Sequence, residues 1–388
     1  MDKRGPILFH VQHLLGVGHR NRAALIAQAC AQAGLDITMT MAPGEDPLPG
    51  VHALPLPIIR AADARFSALV DARGRPVDAA LWAERAAILA QEIDAHPPAI
   101  LLIEGYPFAR RKFAGELDPL VAQARAAGAH IVCSIRDILV AKPDPAKTGE
   151  IARKAAALHD HILVHGDPDF VPLCDSFPLI GDLAARLHYT GYVAPPPITR
   201  AQTLSAKAPV IVSIGGGAVG AALMTAALGA RESGVLSDRP WRLLGGPNLP
   251  DADVASLEAR AERLPGVSLE AALSGPDFRT ALAGAALSIS QAGYNTAVDL
   301  WRTGPRAVLV PFAGPEGTET EQPQRARLME SHGQAVVCPE DGLSPESLAR
   351  AIHAALNAPA PDSPPPNLEG GRESARYLAA LAGASPLG

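Results

Sequence analysis

The stretch Ser288-Ile-Ser-Gln-Ala-Gly-Tyr-Asn-Thr-Ala-Val-Asp299 predicts a buried strand, a tight turn and the start of a helix. Its first residues, with Leu287 before them, form the kind of short run that builds a buried strand. Gly293 allows the backbone to turn sharply at a point where a Cβ would interfere. We therefore expect a strand–turn–helix unit of an α/β domain, with the carboxylate of Asp299 on its helix.

A second unit of the same kind follows directly. Ala307 to Val310 predicts the next strand, and the polar loop from Pro311 to Gln322 leads into another helix. Two strand-to-helix turns therefore lie side by side at the carboxyl edge of one parallel sheet, which is where α/β proteins bind ligands. A helix N-terminus suits a phosphate group and a carboxylate suits a ribose diol, so the pattern favours a nucleotide site.

These two turns resemble the C-terminal domain of the nucleotide-sugar glycosyltransferases of family 28, the group of the peptidoglycan N-acetylglucosaminyltransferase. The shared pattern is a small-residue turn, a helix with an acid one turn in, and a Pro-Phe loop that ends in paired polar residues and a small residue. The residues that carry it here are Ala292-Gly293, Asp299, Pro311-Phe312, Glu321-Gln322 and Ala326. The family usually has Glu at the first acid and often two Gln at the polar pair. Asp299 therefore shortens the reach to ribose, and the changed pair leaves the identity of the sugar open.

A glycine turn begins each half of the chain. Near the start, the strand Pro6 to Gln12 leads into Gly16-Val-Gly18-His19 and then a helix. Later, the strand Val210 to Ser213 leads into Gly215-Gly-Gly-Ala-Val-Gly220 and another helix. Each turn alone is a weak nucleotide-binding signal, but two such starts about two hundred residues apart are more specific. Glycines in such turns let backbone N–H groups approach a diphosphate.

The segment after residue 194 has the composition of a linker and is stiffened by three consecutive prolines. We predict an N-terminal acceptor-binding Rossmann-like domain over 1–194 and a linker over 195–208. A C-terminal nucleotide-sugar-binding Rossmann-like domain is predicted over 209–366. The remaining residues, 367–388, are expected to form a helix that packs back on the N-terminal domain.

The family resemblance implies an α/β fold of the GT-B type, in which two Rossmann-like domains with parallel sheets face a central cleft. It also implies an activity: transfer of a hexose or N-acetylhexosamine from a UDP-sugar to an acceptor hydroxyl, with inversion at the anomeric carbon. The preference for UDP depends on the resemblance alone. No metal or cofactor is expected, because helix dipoles and backbone N–H groups can stabilise the departing diphosphate.

Candidate site residues follow from the same resemblance. His19 is the candidate general base, because an imidazole titrates near neutral pH; the alternative is that it caps the helix or contacts substrate without moving a proton. The donor-binding candidates are Gly215, Gly216, Gly217, Gly293, Tyr294, Asn295, Asp299, Glu321 and Gln322. The acceptor-binding candidates are Gly16, Gly18, Glu104, Arg136 and Asp137. For the last two, a purely structural Arg–Asp pair is the alternative.

The overall composition limits the partners. Net charge is −6 and aromatic residues are 4% of the chain, which argues against a nucleic-acid partner. The four cysteines are far apart in the sequence, which is typical of buried thiols in a reducing compartment. With no secretory signal and no apolar run of about 18 residues, a cytoplasmic protein is expected. The acceptor can be a small molecule or a lipid-linked one.

A basic loop adds one further possibility. Arg110, Arg111 and Lys112 are consecutive cations flanked by the aromatic residues Tyr106, Phe108 and Phe113. The loop either grips an anionic acceptor or the inner face of a membrane, or it is a solvated loop whose aromatic rings fold into the core.

Two other functions remain open from the sequence. A nucleotide-sugar hydrolase or 2-epimerase on the same scaffold would release free sugar without an acceptor. A non-catalytic nucleotide-sugar-binding protein would bind the donor and turn nothing over.

Overall fold

The computed structural model describes residues 5–12, 14, 18–63, 68–141, 144–200, 204–215, 219–246, 249–314, 317–361 and 363–383. The chain divides into two compact units. The first contains Met1–Ala194 together with Pro366–Gly388, and the second contains Pro195–Pro365.

The first unit is built on a parallel sheet. Its strands are β1 (Ile7–His10), β2 (Ile37–Met41), β3 (His52–Pro55), β4 (Ile59–Ala61), β5 (Leu69–Asp71), β6 (Ile100–Glu104), β7 (His130–Arg136), β8 (His161–His165) and β9 (Leu187–Tyr189). Seven of them form the main sheet in the order β3-β2-β1-β6-β7-β8-β9, and β4 pairs with β5 in a small antiparallel ribbon. Its helices are α1 (Gly18–Gln32), α2 (Ala79–Ala95), α3 (Ala114–Ala126) and α4 (Pro145–Leu158).

The central strands of this sheet are apolar on both faces. Ile7 and Phe9 of β1 belong to one buried cluster, while Leu8 belongs to another on the opposite face. A strand that is covered on both faces requires such an unbroken apolar run. The register pairs His10 of β1 with Ile103 of β6, so the loop after β1 emerges beside the end of β6.

The second unit repeats the same architecture. Its strands are β10 (Val210–Ser213), β11 (Trp241–Gly245), β12 (Val267–Ala271), β13 (Leu287–Ser290), β14 (Arg306–Leu309) and β15 (Val336–Val337), and they form one parallel sheet in the order β12-β11-β10-β13-β14-β15. Its helices are α5 (Ala221–Glu232), α6 (Asp251–Ala261), α7 (Gly275–Ala283), α8 (Tyr294–Thr303), α9 (Glu321–Ser331) and α10 (Pro345–Asn357). The prediction of an α/β fold with parallel sheets is confirmed.

The last helix, α11 (Gly370–Leu381), returns to the first unit and packs against α1. Its Ala375 and Leu378 belong to the same buried cluster as Ile26 of α1. The helix begins so close to the end of the sheet that a Cβ on Gly370 would lie 2.3 Å from the carbonyl oxygen of Gly191. Only glycine fits at this approach, so the return of the chain depends on it.

None of the helices in the described part of the chain combines the length and apolar character that crossing a bilayer requires.

Candidate active site

The carboxyl edge of the second sheet brings three turns together. Ser290 at the end of β13 lies between Ser213 of β10 and Leu309 of β14 in the register of the strands. The turn after β10 passes through Gly215, whose φ of 67° is a left-handed value that glycine adopts without strain. The predicted donor-binding Gly216 and Gly217 lie outside the described residues.

The turn before α8 does not need glycine for its backbone, so the predicted reason for Gly293 was wrong. Gly293 has φ −64° and ψ 154°, which any residue adopts, and a Cβ there would meet no atom within 4 Å. What glycine provides is open space beside the first turn of α8. As a glycine, the N-cap residue Gly293 supplies no side-chain cap, and the positive end of the helix dipole suits an anionic group.

Gln322 ties the two predicted turns to each other. Its side-chain Oε1 accepts hydrogen bonds from the backbone N–H groups of Ala292, at 3.1 Å, and Phe312, at 3.2 Å. The oxygen is therefore occupied by the protein itself, and the Nε2 group is the part of this amide that can donate to a ligand. Gln322 is thus a structural clamp at the position where the sequence predicts a sugar contact.

Glu321 is turned inward, toward Arg325. Its side chain is 3% exposed, and its Oε1 accepts a hydrogen bond of 2.9 Å from Nη2 of Arg325 one helical turn later. The prediction that Glu321 holds a sugar hydroxyl is not retained, because a buried carboxylate that left its cation would lose the pairing that compensates its desolvation.

Arg325 is a site residue that the sequence analysis missed. It is fully buried, donates from Nη1 to the carbonyl oxygen of Ala292 at 3.0 Å, and lies over the ring of Tyr294 with 5.7 Å between guanidinium carbon and ring centroid. The i, i+4 spacing from Glu321 to Arg325 on a helix was the available signal. Since the ring of Tyr294 is also buried, only its backbone is suited to a ligand.

Asp299 lies in the second turn of α8, and its side chain is 14% exposed. Burial raises the pKa of this carboxyl to about 7, and the nearby guanidinium of Arg279 opposes that rise. Nη1 of Arg279 is 3.9 Å from Oδ1 of Asp299. A largely buried carboxyl that titrates near neutral pH is typical of a binding or catalytic group. Asn295, the remaining donor candidate, lies one residue into the same helix.

In the first unit, His19 and Glu104 meet although they come from different strand ends. His19 Nδ1 lies 2.7 Å from Oε1 of Glu104, and Nη2 of Arg22 donates to the same oxygen at 2.5 Å. Arg110 approaches the other oxygen at 3.9 Å. With Nδ1 donating to the carboxylate, Nε2 is the imidazole nitrogen that can accept a proton.

The charges around this pair set its protonation. Burial lowers the pKa of His19 to about 4, and Arg110 and Arg22 lower it too, while Glu104 opposes them. Burial would raise the pKa of Glu104, but His19, Arg22 and Arg110 together hold it well below its usual range. The imidazole is therefore neutral and Glu104 is ionised at neutral pH, so Nε2 can accept a proton. The pKa of His19 nevertheless lies below the near-neutral value expected from the sequence, because the ring is buried beside two guanidinium groups.

The other acceptor-binding candidates differ in how deeply their side chains are buried. Arg136 is half-buried at the end of β7, whereas Asp137 is fully buried and accepts a 2.8 Å hydrogen bond from the hydroxyl of Tyr192. We do not retain Asp137 as an acceptor contact, because its carboxylate is fully buried. Gly18 begins α1, and Gly16 lies outside the described residues.

The structure distinguishes between the two interpretations of the basic loop. Arg110 turns inward and donates from Nε to the carbonyl oxygen of Gln12 at 2.6 Å, while Tyr106 and Phe113 are fully buried. The aromatic rings thus belong to the core, as in the alternative interpretation. Arg111 and Lys112 are the two cations of this run that are exposed.

An apolar recess of about 420 Å³ opens at the same edge of the first sheet. Phe108 after β6, Leu139 after β7 and Phe177 after β8 line it, and the two rings meet edge to face at 5.3 Å between centroids. Leu179 at this recess is 39% exposed, which is unusual for a large apolar side chain. The sequence analysis did not single out this recess, because its walls come from α4 and from loops that are far apart in the sequence.

Comparison with known proteins agrees with this geometry. Residues 275–369 match the glycosyltransferase family 28 C-terminal domain, which spans the turns of Gly293 and Gln322 and the carboxylate of Asp299. The chain is family 28-like. The resemblance predicted from the sequence is confirmed.

Two curated relatives of this family 28-like chain are bacterial enzymes named UDP-N-acetylglucosamine–N-acetylmuramyl-(pentapeptide) pyrophosphoryl-undecaprenol N-acetylglucosamine transferase. The Brucella anthropi enzyme is 31% identical over 186 residues, which are 46% of this chain and 48% of the relative. The Rhodospirillum centenum enzyme is 33% identical over 144 residues, which are 35% of this chain and 37% of the relative. The chain thus spans less than half the length of these relatives.

Solved structures support the GT-B fold of the family 28-like chain over nearly its whole length. Acinetobacter baumannii MurG matches with a TM-score of 0.55 at 15% identity, covering 98% of each chain. Os79 from O. sativa, in complex with UDP, matches with a TM-score of 0.59 at 14% identity, covering 97% of this chain and 94% of that one. At such low identity the likeness concerns the fold.

Proposed function

We propose that this protein is a glycosyltransferase that moves a sugar from a UDP-sugar to an acceptor hydroxyl with inversion at the anomeric carbon. The observation that carries the proposal is the edge of the second sheet, where the carboxylate of Asp299 and the glycine-led start of α8 lie within one helix. The match of this region to the family 28 domain supports it. UDP is supported by the names of the two relatives and by the nucleotide bound to Os79.

In the proposed donor complex, Asp299 accepts hydrogen bonds from the ribose. The diphosphate lies against the backbone of Gly215 and of Gly293 to Asn295, where N–H groups and the positive end of α8 offset its charge. Gln322 donates from Nε2 to a sugar oxygen. The proposal needs no metal or cofactor, because these backbone groups stabilise the leaving UDP.

The proposed chemistry is a single displacement. Nε2 of His19 takes the proton of the acceptor hydroxyl while its oxygen bonds to the anomeric carbon. The bond from that carbon to the diphosphate oxygen breaks at the same time, and UDP leaves with the electron pair. Glu104 holds the ring through Nδ1 and stabilises the imidazolium that forms, which is the role of the carboxylate in histidine-based catalysis generally.

For the acceptor, we propose a molecule with an apolar group. The recess lined by Phe108 and Phe177 lies within the size range of small-molecule pockets and is mainly apolar. The relatives' names include a pyrophosphoryl-undecaprenol, so a lipid-linked acceptor belongs to the proposal as well as a small molecule. For a lipid acceptor, exposed Arg111 and Lys112 are the cations that would face an anionic inner membrane surface, and the location would be cytoplasmic.

The decisive experiment is a thermal-shift panel of nucleotide sugars, followed by product analysis of the best binder with a panel of apolar alcohols and with a lipid extract. A glycosylated product with inverted configuration supports the proposal. Free sugar formed without any acceptor would indicate a hydrolase or epimerase. Binding without turnover under all conditions would indicate a sensor.

A further inference from the structure

Arg279 is a charged side chain beside the proposed donor site that the proposed chemistry does not use. It lies on α7, which packs against α8, and its Nη1 is 3.9 Å from Oδ1 of Asp299. At this distance the charges attract, but the two groups are not hydrogen-bonded. The two side chains are only 16% and 14% exposed, so a largely buried cation stands next to the carboxylate assigned to the ribose.

The position of this guanidinium is unfavourable unless it has a further partner. Arg279 folds back over the start of its own helix, where a Cβ on Gly275 would lie 3.2 Å from Nη1. The first turn of a helix carries partial positive charge, which disfavours a cation. The Nε atom of Arg279 is buried and has no hydrogen-bond partner among the described residues. A buried donor without a partner is costly, and its retention suggests that a ligand completes the site.

The chemistry of the pair indicates which ligand group fits. A carboxylate only accepts hydrogen bonds and a guanidinium only donates them, whereas a hydroxyl does both. One ribose hydroxyl placed between Asp299 and Arg279 would donate to the first and accept from the second. A deoxy analogue would leave both charged groups without that partner.

Resting on the proposed donor site, we infer that Arg279 is a specificity-determining residue: together with Asp299 it binds one ribose hydroxyl, so the protein selects a ribonucleoside diphosphate over its deoxy counterpart. The guanidinium also supplies the second contact that compensates for the short reach of Asp299.

The electrostatics give this role a distinct pH signature. Burial raises the pKa of Asp299 and Arg279 opposes it. Other charged groups near α8 are Asp277 on α7, Glu321 and Arg325 on α9, Arg302 on α8 itself, and Arg200, which donates to the carbonyl oxygen of Thr303 at the end of α8. None of them is among the causes of that shift. Removal of Arg279 would therefore raise the pKa of Asp299 further, so that binding which needs the carboxylate would require a higher pH.

The test is calorimetry on the full chain with UDP, 2′-deoxy-UDP and 3′-deoxy-UDP between pH 6 and 8.5. We expect the wild type to bind UDP at least about tenfold more tightly than one of the deoxy probes, since a site that hydrogen-bonds a hydroxyl rejects the analogue that lacks it.

Arg279→Met should reduce that preference to about threefold or less and move the pH midpoint of UDP binding upward. Arg279→Lys should keep the pH midpoint, because it keeps the charge, and lose part of the preference. Arg263→Met, an exposed Arg at the end of α6, is the matched control and should change neither property.

The outcomes separate this inference from the proposed function. If the wild type does not bind UDP but binds another nucleoside diphosphate, the proposed UDP specificity fails. If Asp299→Asn weakens UDP binding while Arg279→Met keeps both the preference and the pH midpoint, the donor site stands and the role of Arg279 is overturned. Melting curves show whether each variant is folded. Should Arg279→Met not fold, an unchanged preference in Arg279→Lys would overturn the inference.

Discussion

The side-chain oxygen of Gln322 lies 3.1 Å from the backbone nitrogen of Ala292, thirty positions earlier in the chain, and accepts its hydrogen bond. The same oxygen also binds the backbone of Phe312. One amide therefore fixes the spacing of the two turns that form the proposed donor site. The residue acts on the ligand in two ways: through its own Nε2 group and through the backbone that it holds.

Two substitutions at Gln322 separate these roles. Gln322→Glu keeps the accepting oxygen and removes the Nε2 donor, so we expect a raised donor KM with little change in melting temperature. Gln322→Ala also leaves two backbone N–H groups without their acceptor, which costs about 1–3 kcal/mol. For a unit of this size that corresponds to a fall of roughly 2–10 °C in melting temperature. Equal melting temperatures for the two variants would contradict the clamp.

Glu321→Gln tests the conclusion that this carboxylate is structural. Replacing a buried charged partner of Arg325 should destabilise the second unit by about 1–3 kcal/mol, because the guanidinium loses its counter-charge. The donor KM, measured well below the melting temperature, should stay within about twofold of the wild type, as a residue without ligand contact removes no binding energy. A tenfold rise in the donor KM of the folded variant would instead support the prediction that Glu321 contacts the sugar.

Asp299→Asn should weaken donor binding and remove its pH dependence. In the wild type the pKa of Asp299 is about 7, so donor affinity should rise as pH increases through that value and the carboxylate ionises. The variant should bind at least about tenfold more weakly at pH 8 and show a flat profile, given the usual strength of charged hydrogen bonds. Calorimetric titration with UDP measures both properties.

The same variant should be more stable than the wild type at high pH. The folded pKa of Asp299, about 7, lies above the ordinary value of 3.8, so the folded state favours the protonated form. The resulting penalty on folding is absent below pH 4, grows as pH rises toward 7 and is complete above it. Asp299→Asn should therefore raise the melting temperature more at pH 8 than at pH 5. Asp341→Asn, which changes an exposed carboxylate in a turn, is the control and should show no such difference.

His19→Ala should lower kcat by roughly 10²–10⁴ without a matching change in UDP affinity. Because the pKa of His19 is about 4, kcat at saturating donor should stay flat between pH 6 and 8 and fall only toward pH 4. Saturation with donor removes the separate titration of Asp299 from the profile. Full activity of His19→Ala would exclude the residue as the base.

Glu104→Gln complements this test. It keeps the hydrogen bond to Nδ1 but removes the charge that stabilises the imidazolium, so we expect a smaller loss of kcat than in His19→Ala. It also leaves Arg22 without its buried counter-charge, so circular dichroism should precede the kinetics. A loss of kcat equal to that of His19→Ala in a folded variant would show that the carboxylate is as essential as the base.

Much of the architecture was predictable from local sequence patterns. Short apolar runs, such as Val210 to Ser213, predict buried strands. In a parallel sheet, every strand-to-helix turn lies at the same edge. Two such patterns, each with a glycine turn, therefore predicted the α/β class and the edge that carries Asp299. The i, i+4 pair of Glu321 and Arg325 was equally visible but was not used.

The sequence could not predict which polar side chains are available to a ligand, because that depends on partners that are distant in the sequence. Asp137 and Tyr192 are 55 positions apart, and their contact turns a candidate ligand group into a buried structural one. Arg110 faces the carbonyl of Gln12, 98 positions away, instead of solvent.

The sequence by itself determined where polar groups gather, since the position and type of each strand and helix follow from local hydrophobic pattern. Only the tertiary structure decided which of them stay free to act. Burial makes an unpaired charge costly, so each inward-facing side chain must take a partner from whichever element packs against it. Tertiary packing placed Glu104 of β6 beside His19 of α1. It likewise placed Arg279 of α7 beside Asp299 of α8.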